Sequence, residues 1–376
     1  MLSKIIFILK LFCLIFIIVF SGCDKDETPA GPRFKSLDEE IDYIANQYLE
    51  VGAMIGIINK QHERLIFSYG TKSINNNEPP DINSVFEIGS ITKTFTATLA
   101  ADMYLKGNFS DDTVGHYLTA GQVTMPSKHG VEIRFIHLFT HTSGIPRSPR
   151  GTSYPYPPGY DPLNPYAAYS TEQVYDYLTN YCVLEFTPGT WWLYSNTGMG
   201  LLGHIVGVAD GTSYETVLKR EIFEVLGMDN SSLFLTAEQM NNLAIGHNIN
   251  KQIVPNWDAQ DIFQGAGFIK TSLNDMFKYL EANLGLVQTP LRNAMDLAHE
   301  PQFHQGSLGD IGLAWYILEL DDGQVMIYHG GGTGGYDSFL GFNKSLSTGA
   351  IVLFNSKVRE SVLVIGEHIL KAINKY

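Results

Sequence analysis

What most constrains this chain is that its strand-like runs are confined to its two ends, while a long stretch of helical periodicity lies between them. Residues 52–58 and 65–69 are apolar runs flanking the polar Asn59-Lys60-Gln61-His62-Glu63, the pattern of a β-hairpin. Near the other end, residues 313–320, 324–329, 339–342 and 350–354 read as antiparallel strands, the first two joined by the turn Asp321-Asp322-Gly323. Helical patterns close both ends, at about residues 36–50 and 358–373, and fill the middle at 92–105, 171–181, 198–208, 214–226 and 272–283. Strands from both termini are therefore expected in one antiparallel sheet, flanked by the N- and C-terminal helices. The expected fold is α/β (α+β): a sheet part of about 36–85 and 285–376, with a mostly helical part of about 86–284 inserted. The Tyr- and Pro-rich stretch 153–169 has no clear period and is long for a connection, which marks it as a candidate functional loop or lid.

With 376 residues, 44 % of them hydrophobic, the chain has ample material for a large core. Its net charge of -14 would repel a phosphate backbone, and no basic run interleaved with aromatics appears, so nucleic acid is not an expected partner. The N-terminus has the layout of a cleaved export signal, 1–22: Lys4, an apolar run over 5–20 broken by Lys10, then Ser21-Gly22-Cys23. An uncleaved anchor helix is the alternative, although the run is short for a span of about 20 residues. A small-residue pair before cysteine resembles a bacterial lipoprotein signal, which implies a lipid on Cys23. Residues 23–35, with Pro29, Gly31 and Pro32 among charged residues, then read as a tether. The expected location is the cell envelope, exported and lipid-anchored, facing the periplasm or the exterior. Of the three cysteines only Cys182 would remain in the folded body, so no disulfide framework is expected. Its apolar neighbours Tyr181, Val183 and Leu184 favour a small buried hydrophobe over a nucleophile.

Three short motifs carry chemistry. Ser90-Ile91-Thr92-Lys93 opens a helical run, and residues three apart on a helix share a face with Cβ atoms about 5–6 Å apart. The Lys93 amine can thus reach the Ser90 hydroxyl, and it serves as a base if burial or nearby cations lower its pKa. A helix start also favours negative charge developing near Ser90. Tyr194-Ser195-Asn196 stands at a loop-to-helix junction, where the phenol can share protons with Ser90 and a leaving group. There the Asn196 amide can anchor Lys93 and a substrate carbonyl. His329-Gly330-Gly331-Gly332 ends a strand whose glycines admit a substrate close to the backbone, with the Gly332 and Ser90 N–H groups as an expected oxyanion hole. Each of the first two motifs is expected about once by chance in a chain of this length; their combination is what is specific.

In the order S-x-x-K, Y-x-N, H-G-G, with about a hundred and then about 135 residues between them, these motifs resemble the signature of the serine β-lactamase and penicillin-binding protein superfamily. Within it the chain is similar to the branch of class C β-lactamases, D-alanyl-D-alanine carboxypeptidases and related esterases. Supporting stretches are Phe86-Glu87-Ile88-Gly89, His141-Thr142-Ser143-Gly144, Leu202-Gly203, Glu221-Ile222-Phe223, Leu226-Gly227-Met228 and Gly265-Ala266-Gly267. The resemblance implies an α/β sandwich plus a helical domain with the active site at their junction. It implies Ser90 as nucleophile, Lys93 as base, Tyr194 as general acid and base, Asn196 as orienting amide, and His329, Gly330 and Gly331 as the third-motif strand.

Class C β-lactamases carry K-T-G in the third motif, where the lysine and threonine help hold the antibiotic's carboxylate. His329 and Gly330 stand there in this chain, and a mostly neutral imidazole would hold that carboxylate less strongly. Carboxypeptidase- and esterase-like relatives do carry histidine at this place. Arg147 and Arg150 are the cations available to compensate. The glycines at 330, 332 and 335 also satisfy G-x-G-x-x-G, but a strand rather than a helix is expected next, against nucleotide binding. His299-Glu300 and His304 are spaced wrongly for a zinc motif, and His204 and His247 are isolated, so neither a metal nor a cofactor is expected. The expected activity is serine hydrolysis of a small-molecule or peptide substrate, a β-lactam, D-amino-acid peptide or ester, through an acyl-enzyme. The contrasting reading is a non-catalytic or slowly turning-over surface receptor for peptidoglycan fragments or β-lactams.

Overall fold

Strands from the two ends of the chain pair in one sheet. In this computed structural model, residues 32–109, 113–118, 123–149 and 154–376 are described; the signal stretch 1–22, Cys23, most of the tether, Arg150 and Ser153 lie outside them. Contacts separate the body, Ser36–Tyr376, from the residues before it. The body's strands are β1 (Gly52–Ile58), β2 (Arg64–Gly70), β3 (Val85–Glu87), β4 (Lys270–Ser272), β5 (Phe303–His304), β6 (Asp310–Ile311), β7 (Tyr316–Glu319), β8 (Val325–Gly332), β9 (Asp337–Asn343) and β10 (Thr348–Phe354). Among the described residues the main sheet runs β2-β1-β10-β9-β8-β7-β6-β5, with antiparallel pairing throughout. The joint between the two ends is β1 on β10, in a register that sets Ile55 opposite Val352 and Met54 opposite Leu353.

Alternation along these strands explains why both faces are covered. Ala53, Ile55, Ile57, Val352 and Phe354 point to a core shared with Ile41 of the N-terminal helix Leu37–Tyr48 and with Ile365 and Ile369 of the C-terminal helix Val362–Lys375. Met54, Ile58, Ile351 and Leu353 point the other way, into the larger core that includes the helix Leu273–Leu284. Each fully buried aliphatic or aromatic side chain contributes about 1.5–3 kcal/mol relative to exposure, so this two-sided burial dominates the stability of the layer. Local signals set the helix ends: Ser36 caps the first helix through the Glu39 N–H at 3.3 Å, while Gly285 at φ 82° terminates the helix Leu273–Leu284.

Several elements differ from the sequence reading. The strand expected over 313–320 begins only at Tyr316, because Ala314 takes φ 58° and the Gly312 N–H donates to the Trp315 carbonyl at 2.8 Å, closing a tight turn. The helical runs at 171–181 and 214–226 pass into π-type turns at Tyr177–Tyr181 and Lys219–Phe223. Strands β5 and β6 are two residues each, too short to show a period of two. A second small sheet, β3 on β4, lies in the stretch read as helical and delivers the chain to Ser90.

The helix Leu273–Leu284 approaches the sheet over glycine. A Cβ at Gly56 would stand 2.6 Å from Leu273 Cδ1 and 2.7 Å from Phe277 Cζ. Gly56→Ala is expected to cost about 1–3 kcal/mol through overpacking, read as a lowered urea midpoint with an unchanged slope. An unaltered midpoint would contradict so close an approach.

Candidate active site

The geometry begins at a glycine. After β3 the chain reverses through Gly89, at φ 49°, into the short 3₁₀ turn Gly89–Ile91, which continues as the helix Thr92–Leu105. A Cβ at Gly89 would lie 2.5 Å from the backbone nitrogen of Gly332, so the end of β8 touches this turn main chain to main chain. Gly331 is equally confined, since a Cβ there would collide with the Ile88 carbonyl. Ser338 Oγ donates to that same carbonyl at 2.9 Å. Ser90 is thereby held at a helix start beside the backbone of Gly332.

The helix it opens is buried from Thr92 to Met103, and exposed only at its end, at Tyr104 and Leu105. Its hydroxyls are satisfied locally: Thr94 Oγ1 donates to the Ile91 carbonyl at 2.8 Å, Thr98 Oγ1 to that of Thr94 at 3.0 Å, and Thr96 Oγ1 to that of Gly265 at 2.7 Å. Lys93 projects from this helix with its amine 3.0 Å from Ser90 Oγ and donating also to the Ala266 carbonyl. The amine is inaccessible to solvent, and burial, reinforced by repulsion from Arg147, holds its pKa well below the ordinary 10.5.

Tyr194 completes the group. Its phenol interacts with the Ser90 side chain, its pKa is raised by burial, and the Lys93 amine lies 4.8 Å from the centre of its ring. An alcohol, an amine and a phenol from two distant segments converge here. Ser195 caps the helix Asn196–Asp210, its Oγ accepting the Gly198 N–H at 2.9 Å and donating to the Pro146 carbonyl at 3.0 Å. Asn196 departs from the sequence reading, since its amide is not bonded to Lys93. Asn196 Nδ2 donates to the Tyr166 hydroxyl at 2.6 Å, while its Oδ1 is buried without a partner. The Lys93 amine is directed instead to Ser90 and to Ala266.

His329 lies in β8, buried, with its ring centre 6.5 Å from that of Tyr194. Its Nδ1 is 2.6 Å from the Gly330 carbonyl oxygen, which fixes the proton on Nδ1 and leaves Nε2 as a buried lone pair without a partner. Burial, then the nearby Lys93, pushes its pKa down to about 3, so the imidazole is neutral at working pH. The third motif therefore presents an acceptor where a K-T-G motif presents a cation.

Tyr166 and Trp257, also near Ser90, were not singled out individually from the sequence. Tyr166, from the Tyr- and Pro-rich stretch, lines a recess of about 50 Å³ with Ser90, Arg147, Asn196, Trp257, Ala266, Gly267, Phe268 and Gly332. Trp257 Nε1 donates to the Leu163 carbonyl at 2.8 Å and ties that stretch down. On the other side of Ser90 a more open groove of about 470 Å³ runs along Gly330, Gly331 and Gly332 to Lys357 and Glu360. His141, at φ 58°, sets its ring 4.4 Å from that of Tyr194, and its Nδ1 accepts the Ser195 N–H at 3.2 Å. The sequence signal for this loop was the stretch His141-Thr142-Ser143-Gly144; for Tyr166 and Trp257 only contact reveals the role.

The remaining candidates lie apart from this chemistry. Among the described residues no cluster of three or more His, Cys, Asp or Glu side chains is placed to hold a metal ion. His204 is engaged by Tyr175 at 2.7 Å and by Asp261, and His247 Nδ1 bonds the Asn355 carbonyl at 2.9 Å. The Cys182 thiol is pushed up to about 11 by burial and stays protonated.

A serine at a helix start, with a buried lysine one turn on and a phenol beside both, is an arrangement suited to a serine hydrolase that works through an acyl-enzyme. The Beta-lactamase family description matches residues 37–373, and the chain belongs to that family. It is similar to a beta-lactamase of Pseudomonas fluorescens, 25% identical over 374 residues, covering 90% of this chain and 98% of the relative. It is also similar to the D-alanyl-D-alanine-carboxypeptidase/endopeptidase AmpH of Escherichia coli, 25% identical over 338 residues, covering 86% and 84%. A solved class C beta-lactamase superposes with a TM-score of 0.76 at 25% identity, covering 89% of this chain and 96% of that one.

The charge state of Lys93 gives a pH dependence with a definite sign. Protonation removes the base, so kcat/KM for an uncharged ester is expected to fall as pH drops through the Lys93 pKa, which burial and Arg147 place well below 10.5. A pH–rate profile whose acid limb turns only near the ordinary lysine value would contradict that state.

Proposed function

We propose that Ser90 Oγ attacks the carbonyl carbon of an amide, lactam or ester while the neutral Lys93 amine takes its proton. The carbonyl oxygen, now negative, is held by the N–H groups of Ser90 and Gly332. Collapse breaks the bond to the leaving nitrogen or oxygen, and the proton taken from Ser90 passes from Lys93 by way of Tyr194 to that atom. Water then cleaves the acyl-enzyme with the same groups acting in reverse. Asn196 and the third-motif strand at His329, Gly330 and Gly331 orient the acyl chain along the edge of β8. What carries this reading is the 3.0 Å contact between a buried amine and the Ser90 hydroxyl.

Substrate choice follows from His329. A neutral imidazole whose Nε2 is buried without a partner gives a β-lactam carboxylate no charge to meet in the third motif. Carboxypeptidase-like or esterase-like turnover is thus favoured over efficient β-lactam hydrolysis. Nothing favours the receptor reading, and the two relatives described above bear the names of enzymes. Ser90→Ala is expected to lower kcat/KM for p-nitrophenyl acetate and nitrocefin by at least about 1000-fold, and to abolish the acyl adduct seen by intact mass after penicillin exposure. Undiminished hydrolysis by the variant would remove the mechanism.

Residues 1–22 are proposed to direct export, and a lipid on Cys23 to hold the body at the cell envelope through the tether 23–35. The support is the Ser21-Gly22-Cys23 junction after an apolar run. Among the described residues no helix is long and apolar enough to cross a membrane. Cys23→Ser is expected to abolish labelling by a radiolabelled fatty acid and move the protein from the membrane to the soluble fraction. Persistence in the membrane fraction without label would favour an uncleaved anchor.

A further inference from the structure

We infer that Arg147 is the seat for a carboxylate on the departing fragment of the substrate, supplying the cation that the third motif lacks. The inference rests on the hydrolase reading above and names a specificity-determining residue for it.

Position comes first. The guanidinium carbon of Arg147 lies 4.8 Å from the centre of the Tyr194 ring, the same distance as the Lys93 amine. Arg147 lines both the recess and the open groove that meet at Ser90. Tyr194 is the group placed to protonate the departing atom, so the departing fragment passes beside the guanidinium. The main chain at Arg147 is fixed: its carbonyl accepts the N–H of Asn196 at 3.0 Å and of Thr197 at 3.1 Å. The loop carrying the guanidinium is therefore tied to the helix that carries the second motif.

Charge comes second. Among the described residues no carboxylate forms an ion pair with Arg147, and the side chain is exposed to the cleft. The other cations near Ser90 are committed: Lys93 to Ser90 and Ala266, and Lys357 to Asp337. His329 is uncharged and aims a lone pair, so it cannot attract an anion. Glu360, which also lines the groove, repels a carboxylate. A planar guanidinium with free donors is well suited to a carboxylate, which it can grip with two parallel hydrogen bonds.

Arg147 also depresses the Lys93 pKa, so its removal would alter the base as well as the seat. Comparing two substrates that use the same base cancels this second effect. Suitable probes are the 3-carboxyphenyl and phenyl esters of N-phenylacetylglycine, which differ only by a carboxylate on the leaving group. The parent protein is expected to prefer the carboxylated ester in kcat/KM. Arg147→Gln is expected to reduce that preference by about 10- to 100-fold, the range for a lost charge-assisted contact. Arg147→Lys is expected to fall between, since it keeps charge but not the fork. Equal rates for the two esters in the parent, or an unchanged ratio in Arg147→Gln while both rates fall together, would overturn the assignment. Failure of the parent to turn over either ester, with no adduct on Ser90 by intact mass, would instead overturn the hydrolase reading and this inference with it.

Discussion

A lysine amine sealed from water is the constraint around which the site is arranged. Taking an ammonium out of water is costly, and the group answers by giving up its proton. The Lys93 pKa is held well below its ordinary value first by burial, in a helix enclosed from Thr92 to Met103, and then by repulsion from Arg147 nearby. The same burial that makes the amine a base would destabilise the fold if the amine were protonated. With a folded pKa below the unfolded value, the unfolded chain binds the extra proton, and stability contributed here falls as pH drops from about 10.5 toward the folded pKa.

That sealed amine is useful only because sheet and helix meet at glycine. Gly89 brings Ser90 against the end of β8, and Gly331 lets the strand come within main-chain contact of the turn. Side chains at these places would hold the two layers apart. The edge of β8 thus serves twice, as part of the sheet that buries the core and as one wall of the cleft. The strand on its inner side, β9, anchors the contact through Ser338, whose hydroxyl reaches the Ile88 carbonyl.

Electrostatics then divides the cleft. Cationic Arg147 lies over one phenol face, a neutral histidine lies at the strand, and Glu360 lines the open groove. A motif that differs from K-T-G at two positions is accompanied by an arginine from a loop far away in sequence. Substrate preference in such a site is set by where charge stands in space rather than by the motif alone.

Much of this was legible in the sequence. The continuous apolar runs at 52–58 and 350–354, buried on both faces, and the helical spacing of 92–105 gave their places, because a core-facing pattern leaves few alternatives. Ser90 and Lys93 were legible together because one helical turn fixes their separation locally. Tyr194 was legible only through its order with the other motifs, and its nearness to Ser90 is a product of folding. Asn196 shows the limit most plainly: the residue was found, but its partner Tyr166 lies 30 positions away in a stretch with no periodic signal. Short strands such as β5, the left-handed turn at Ala314 and the guanidinium over Tyr194 were likewise decided by tertiary contact. Spacing along one element is written in the chain, whereas contacts between elements depend on how their surfaces pack, and no local pattern encodes that.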